Sequence, residues 1–359
     1  MLHHIVMSFA QRIEGIKGGF ILVFIAATGL IAQVQAQQVA GGAATMAEDM
    51  CSKFKFGTSP AQPVRIRYGL TGGGEEPLAL LWADKAKYPN NGKFYLLEPQ
   101  LFTANDRMTA LQAGQLEAGS ISLTALVTGV RVGLDLRAVA SVVETNEIDN
   151  QGAFVVLQDS GITSTGQFKG KKIGFYGPNT ISEYWIKSAL RRAGVKAGEA
   201  QYVSMPPPAQ EQALRNKQID VAWLSRQFLA KAQKTGGIQI ILRPIQATQQ
   251  AHPSTLVFFT QKFVAANPEA YCAWRSDYQK ALIAWKQDRA GLYPKLIAAN
   301  YLTPGAADAG ADGGRAEGGR INIHDIQETI KDMAESGFLP ASRSASAEEV
   351  VLKGYALRK

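Results

Sequence analysis

Two rhythms of apolar residues alternate along residues 64–144. Short β-branched runs at "VRIRYG" (64–69), "KFYLLEP" (93–99), "QLEAGSIS" (115–122) and "LRAVASVVE" (136–144) read as strands. Helical spacing fills the gaps, from Pro77 to about Ala86, over "ANDRMTALQAG" (104–114), and from Leu123 onward. Strands alternating with helices predict a mostly parallel sheet with helices on both faces.

The pattern then repeats. "KKIGFYG" (171–177) is a strand followed by a Gly turn and a helix from Ser182 to about Arg192. "AQYVSMP" (200–206), a helix over "AQEQALRNK" (209–217) and the strand "QIDVAWLS" (218–225) complete the second set. "ALQAGQLEAGSIS" (110–122) aligns with "ALRNKQIDVAWLS" (213–225), so that Gln115 matches Gln218, Glu117 matches Asp220, and Ser122 matches Ser225. The order of elements agrees as well, and the chain reads as two similar Rossmann-like α/β lobes.

Two apolar strands, "GAFVVLQDSG" (152–161) and "PSTLVFFTQ" (253–261), leave the first and second units. Two crossings make a two-strand hinge. The expected lobe limits are 37–155 plus 257–359 for the first lobe and 156–256 for the second. Asn267 as N-cap and Pro268 at the first helical position open a long helix that should cover the first lobe. "TPGAADAGADGGRAEGGR" (303–320) has too little apolar content to pack and reads as a mobile loop. "INIHDIQETIKDMAESGFL" (321–339) returns to a helix ended at Gly337.

Composition adds compartment and excludes partners. The chain has 359 residues, 46% hydrophobic and 19% charged, enough for one large or two medium domains. Its net charge of +8 is spread thinly, without a Lys/Arg stripe, so a nucleic-acid partner is not expected. Arg12 and Lys17 precede the apolar run "GGFILVFIAATGLIA" (18–32), and "VQA" (34–36) offers small residues for cleavage after Ala36. Residues 1–36 therefore read as a signal peptide. The alternative is an uncleaved anchor, but the run falls short of the about 20 residues a span needs. An exported chain with an even pair of cysteines, Cys51 and Cys272, suggests one disulfide. The scattered histidines give no metal spacing, and no cofactor is expected.

In open α/β sheets ligands sit beyond the carboxyl ends of strands, at helix amino ends. Four such ends carry Gly72, Gly73, Gly74 and Glu75; Ser122 and Thr124; Asn179, Thr180 and Ser182; and Trp223, Ser225 and Gln227. Helix capping would explain each cluster singly, but four at equivalent places in duplicated lobes point to a shared cleft. Tyr176 and Trp223 could flank the body of a ligand, although Trp223 would serve equally as core. Glu75 and Glu76 could simply be favourable charge at a helix start. His252 has no evident serine or cysteine partner, so no nucleophile–base set is in view.

The export signal with "VRIRYGLTGGGEEPLALLWADK", "MTALQAGQLEAGSISLTAL", "GKKIGFYGPNTISEYWIKSAL" and "ALRNKQIDVAWLSRQFL" resembles the substrate-binding proteins of ABC importers. The similarity is to the group for nitrate, sulfonates, taurine, aromatic carboxylates and thiamine-pyrimidine precursors, and runs from about Val64 to Trp285. It implies a periplasmic, monomeric, bilobed protein of the type II fold, with no enzymatic activity, that closes on a small ligand and delivers it to an inner-membrane ABC permease. The family's helix-end positions fall on Ser122 and on Asn179, Thr180 and Ser182. Where many members have Trp-Glu-Pro, this chain has Trp223-Leu224-Ser225, which favours an anion, carboxylate or sulfonate, over a cation. The rival readings are a pyrimidine-precursor synthase on the same scaffold and a ligand-sensing partner of a membrane receptor.

Overall fold

The computed structural model describes residues 49–70, 74–102, 104–147, 151–305, 314–340 and 345–358. The expected signal peptide and Gly72 and Gly73 lie outside the described residues.

In chain order the strands are β1 (Val64–Leu70), β2 (Tyr95–Leu101), β3 (Ala118–Ser122), β4 (Arg137–Thr145), β5 (Gly152–Leu157), β6 (Lys172–Phe175), β7 (Gln201–Ser204), β8 (Val221–Ser225), β9 (Ile238–Leu242) and β10 (His252–Phe259). They form two five-stranded sheets, ordered β2-β1-β3-β10-β4 and β7-β6-β8-β5-β9. β1 runs parallel to β2 and β3, and β6 runs parallel to β7 and β8. The fourth-placed strand of each sheet is antiparallel to both its neighbours. That strand is the visitor. β5 follows the last strand of the first set yet pairs in the second sheet, and β10 makes the return journey. Limits at 155/156 and 256/257 cut through these two strands, which pair whole in the sheet they enter.

Both faces of each sheet are covered, and the visitors show it residue by residue. Side chains alternate across a strand, so neighbours enter different cores. In β10, Leu256 and Phe258 join one apolar cluster while Val257 and Phe259 join another. In β5, Phe154 and Val156 part from Ala153 and Val155 in the same way. β9 comes from "IQIIL" between Gly236-Gly237 and Pro244, a five-residue run that has no polar alternation to reveal it.

One face of the first sheet packs against α1 (Glu76–Ala83), whereas α2 (Ala104–Gln112) and α3 (Leu123–Arg131) follow β2 and β3. The second set supplies α4 (Ile181–Arg192), α5 (Pro207–Arg215), α6 (Arg226–Thr235) and α7 (Pro244–Thr248). After β10 come α8 (Gln261–Ala266), α9 (Pro268–Gln287), α10 (Arg289–Ala298), α11 (Ile323–Glu335) and α12 (Ala347–Val350). α9 covers the first lobe with Tyr271, Trp274, Tyr278, Ala281 and Trp285, all buried at helical spacing. Asn267 stands at the N-cap position but does not cap; its amide donates to the Phe263 carbonyl at 3.2 Å, closing α8 instead.

Cys51 and Cys272 are joined, with Cα atoms 5.3 Å apart, and tie the segment before β1 to α9. Arg275, one turn further along α9, donates to Asp49 at 2.7 Å beside the bridge. α11 lies against both lobes. Its Asp332 accepts from Tyr184 (2.8 Å), Ser188 (2.5 Å), Arg191 (2.5 Å) and Arg192 (2.8 Å), all on α4 of the second lobe. Ile330 and Met333 of α11 complete a single apolar cluster that includes Ile121 and Leu126 of the first lobe and Phe154 and Trp185 of the second.

Candidate functional site

The crossings are held together before any ligand is considered. Gln151, at the entry to β5, donates its amide to Thr145 Oγ1 at 3.0 Å and accepts from Ser254 of β10 at 2.5 Å. Ser254 also lies 3.1 Å from the Val143 carbonyl, and Thr145 and Ser254 are fully buried. His252 closes the same region. Trp185 Nε1 donates to His252 Nε2 at 3.1 Å, so Nδ1 carries the proton toward the Gln250 carbonyl, also 3.1 Å away. Burial pushes this imidazole down to about 4, against the pull of that carbonyl and of Asp332. Both ring nitrogens are committed, which leaves His252 unsuited to act as a base.

Of the four polar helix ends, the α3 end is a cap. Ser122 Oγ accepts from the Ala125 N–H at 3.2 Å and lies 2.9 Å from Thr124 Oγ1, with Thr124 fully buried. The α4 end is a closed chain of hydrogen bonds. Thr180 occupies the N-cap position without capping, because its hydroxyl donates to the Gly177 carbonyl at 2.7 Å. Ser182 Oγ accepts from the Tyr176 N–H at 3.2 Å and lies 3.0 Å from Thr180 Oγ1. With the Thr180 proton already spent on Gly177, the Ser182 proton must point to Thr180. Neither hydroxyl can donate to an anion without breaking this chain. The turn depends on positive φ at Gly177 (128°) and Asn179 (62°), and the Asn179 N–H is held by Glu183 at 2.7 Å.

The α6 end places Ser225 at the N-cap position without a side-chain cap, beside the Tyr176 hydroxyl. Trp223 is 2% exposed, its ring 4.9 Å from Trp185 and 5.0 Å from Phe154, so it packs in the apolar cluster that both lobes share. The α1 end divides its two acids. Glu75 is fully buried in the first lobe, where its charge helps burial to raise the Tyr301 and Tyr68 hydroxyls and opposes burial at Arg107. Glu75 is therefore not aimed at the second lobe. Glu76 is.

Glu76 is 3% exposed and takes a guanidinium from each side. Arg315 donates to its Oε2 at 2.7 Å; Arg226 of the second lobe lies 3.5 Å from its Oε1. The Arg315 fork is fixed by the carbonyls of Gly74 and Val142, both at 2.8 Å. Gly74 has φ 78°, and a Cβ there would meet Val143 at 2.6 Å, so glycine lets this carbonyl turn toward the arginine. Arg226 is the first residue of α6, its backbone N–H bonded to the Gln151 carbonyl at 2.7 Å. A carboxylate thus lies between the lobes, at the amino end of its own helix and against the first residue of another.

Sequence reasoning missed this trio. Arg226 had a signal: Ser122 is followed by Leu123, whereas the matched Ser225 is followed by a cation. Arg315 had none, because it lies in the Gly/Ala-rich stretch whose course only the tertiary structure reveals. Among the described residues no group of His, Cys, Asp and Glu could hold a metal ion, and no helix is long and apolar enough to cross a membrane.

The sequence profile described as NMT1/THI5 like matches residues 99–288, more than half of the chain. The chain belongs to the NMT1/THI5-like family. A protein of Brucella abortus (strain 2308), named for binding but for no ligand, is 29% identical over 166 residues. That alignment covers 46% of this chain, and the chain spans about half the length (49%) of the curated relatives it matches. The periplasmic aliphatic sulphonate binding protein SsuA from Escherichia coli superposes with a TM-score of 0.65 at 17% identity, covering 83% of this chain and 94% of that one. The alkanesulfonate-binding SsuA from Xanthomonas axonopodis pv. citri, bound to MOPS, gives 0.64 at 15% identity, covering 81% and 99%. The periplasmic nitrate-binding protein NrtA from Synechocystis PCC 6803 gives 0.58 at 13%, covering 79% and 84%. At such identities the likeness is one of fold: this NMT1/THI5-like chain has the two-lobed architecture of periplasmic binding proteins.

Proposed function

We propose that this chain is the periplasmic solute-binding component of an ABC importer, exported by its N-terminal signal, acting as a monomer without catalysis. It captures a small organic anion, carboxylate or sulfonate, between its lobes and passes it to an inner-membrane permease. The observation that carries the anion reading is the seat of Glu76: a carboxylate is already accommodated there, between guanidinium groups from both sides of the lobe junction. Helix amino ends add favourable potential for negative charge. The sulfonate- and nitrate-binding names of the structural neighbours support the same class. Cleft contacts from Gly74, Tyr176, Asn179, Thr180, Ser182 and Ser225 would complete the site, with the α4 hydroxyls contributing only after their hydrogen-bond chain rearranges.

A ligand that binds only the folded state at a hundred times its dissociation constant adds about 2.7 kcal/mol of stability. A thermal-shift screen of carboxylates, sulfonates, nitrate and pyrimidines should therefore raise the melting temperature by several degrees for at least one organic anion. Native mass spectrometry of freshly purified protein should show a carried anion. No shift in the screen and no carried mass would refute the reading.

A further inference from the structure

We infer that Glu76 is a resident competitor for the ligand's anionic group, and that Arg226 is the second-lobe cation for which the two compete. The inference rests on the anion-binding reading above and names residues within that same site. Arg315 belongs to the first lobe. Its fork is fixed by the Gly74 and Val142 carbonyls, and its guanidinium carbon lies 5.9 Å above the Trp285 ring. Glu76, held by Arg315 at 2.7 Å, therefore stays with the first lobe when the lobes separate. The Arg226 contact is the longer one, at 3.5 Å, and joins the second lobe to the first. Separation breaks that contact first.

Arg226 begins α6, so its charge and the helix amino end attract negative groups from the same direction. An entering carboxylate or sulfonate meets this end and must displace the Glu76 carboxylate, a chemically equivalent acceptor. Glu76 would then lower affinity for every anion while still holding the arginines when no ligand is present. A cationic ligand gains nothing at Arg226, which restricts the site to anions.

The test is calorimetric titration with ethanesulfonate and benzoate as probes, on protein stripped of ligand by unfolding and refolding. The wild type is compared with Glu76→Gln, Glu76→Asp and Arg226→Gln. Removing the competing charge in E76Q should tighten probe binding by about tenfold or more, and E76D, which keeps the charge on a shorter arm further from Arg226, should fall between E76Q and wild type. R226Q should weaken binding by about tenfold to a hundredfold relative to wild type. If the wild type binds and E76Q binds equally or more weakly, the inference falls and the anion-binding reading stands. If only E76Q binds, the inference stands, with the site masked by its own carboxylate. If neither binds, both fall. Should E76Q fail to refold, R226Q decides: unchanged probe affinity in that variant overturns the inference.

Discussion

Ser122 and Ser225 occupy equivalent places in the two lobes, each ending the third parallel strand and opening a helix, yet they do different work. Ser122 accepts from the Ala125 N–H and pairs with Thr124, so its oxygen serves the helix it starts. Ser225 caps nothing; it lies beside Tyr176, and the residue after it reaches across to Glu76. The duplication kept the strand order and the register of the junction but not the task of the side chain. Local stability was built into the first lobe's junction, and contact between lobes into the second's.

The asymmetry extends to what holds each lobe. Only the first carries the Cys51–Cys272 bridge, which closes a loop across a sequence separation of 221 residues. In the chain-entropy model a loop of that length contributes about 5 kcal/mol, through the unfolded state. Reduction, or Cys272→Ser with Cys51→Ser, should thus destabilise the protein more than any single substitution at the lobe junction. Hydrogen exchange should show it first in β1, β2 and α9, whose packing surrounds the bridge. Equal loosening of both lobes would mean that they do not differ in this way.

The second lobe's counterpart is Asp332. Four donors from α4 converge on this carboxylate, and removing a partner from a buried charged network leaves the others uncompensated. Asp332→Ala should cost about 3 kcal/mol, the low end of the buried range, because Arg191 and Arg192 are 34% and 26% exposed. Denaturant unfolding measures the loss, and exchange should rise in 323–335 and 181–192 while β1 and β2 stay protected. A variant as stable as wild type would show that α11 is held by its apolar face alone.

Much of this was legible, because both faces of each sheet are covered and the apolar rhythm repeats twice. β5 and β10 were visible as apolar strands leaving each unit; which sheet receives them depends on non-local pairing that no local pattern encodes. β9 escaped because a short apolar run of "IQIIL" carries no period. The polar helix ends were located at the right residues, but their chemistry was not. Thr180 donates to Gly177 instead of capping, in a turn with positive φ at Gly177 and Asn179 on either side of Pro178. The partner of Glu76 could be read only where the duplicated lobes disagree, at Leu123 against Arg226.

The second crossing offers a test by pH. His252 is neutral in the fold because burial pushes its pKa to about 4, whereas in the unfolded chain it titrates near 6.5. As pH falls from 6.5 toward 4 the unfolded state takes up a proton that the folded state refuses, so stability is lost on acidification. The slope from this group approaches about 1.4 kcal/mol per pH unit within that window. His252→Gln, unable to titrate, should flatten the dependence between pH 6.5 and 4.5 relative to wild type. Parallel curves for the two proteins would show that the imidazole accepts its proton in the folded state.

The smallest effects bear most directly on the contrast between Ser122 and Ser225. Ser122→Ala removes an oxygen that satisfies a helix N–H, and should cost about 1 kcal/mol in denaturant unfolding. Ser225→Ala removes no cap, only a contact with the Tyr176 hydroxyl, and should cost less than that. Thr180→Ala falls between them, because one hydrogen bond to Gly177 is lost and Ser182 must find a new acceptor. Affinity should rank differently, since the two lobes assign these hydroxyls different work. Ser122→Ala should leave probe binding close to wild type, whereas Ser225→Ala, next to Arg226, should weaken it. If instead the two serine variants lose equal stability and equal affinity, the equivalent junctions do equivalent work, and the division of labour read from their hydrogen bonds is wrong.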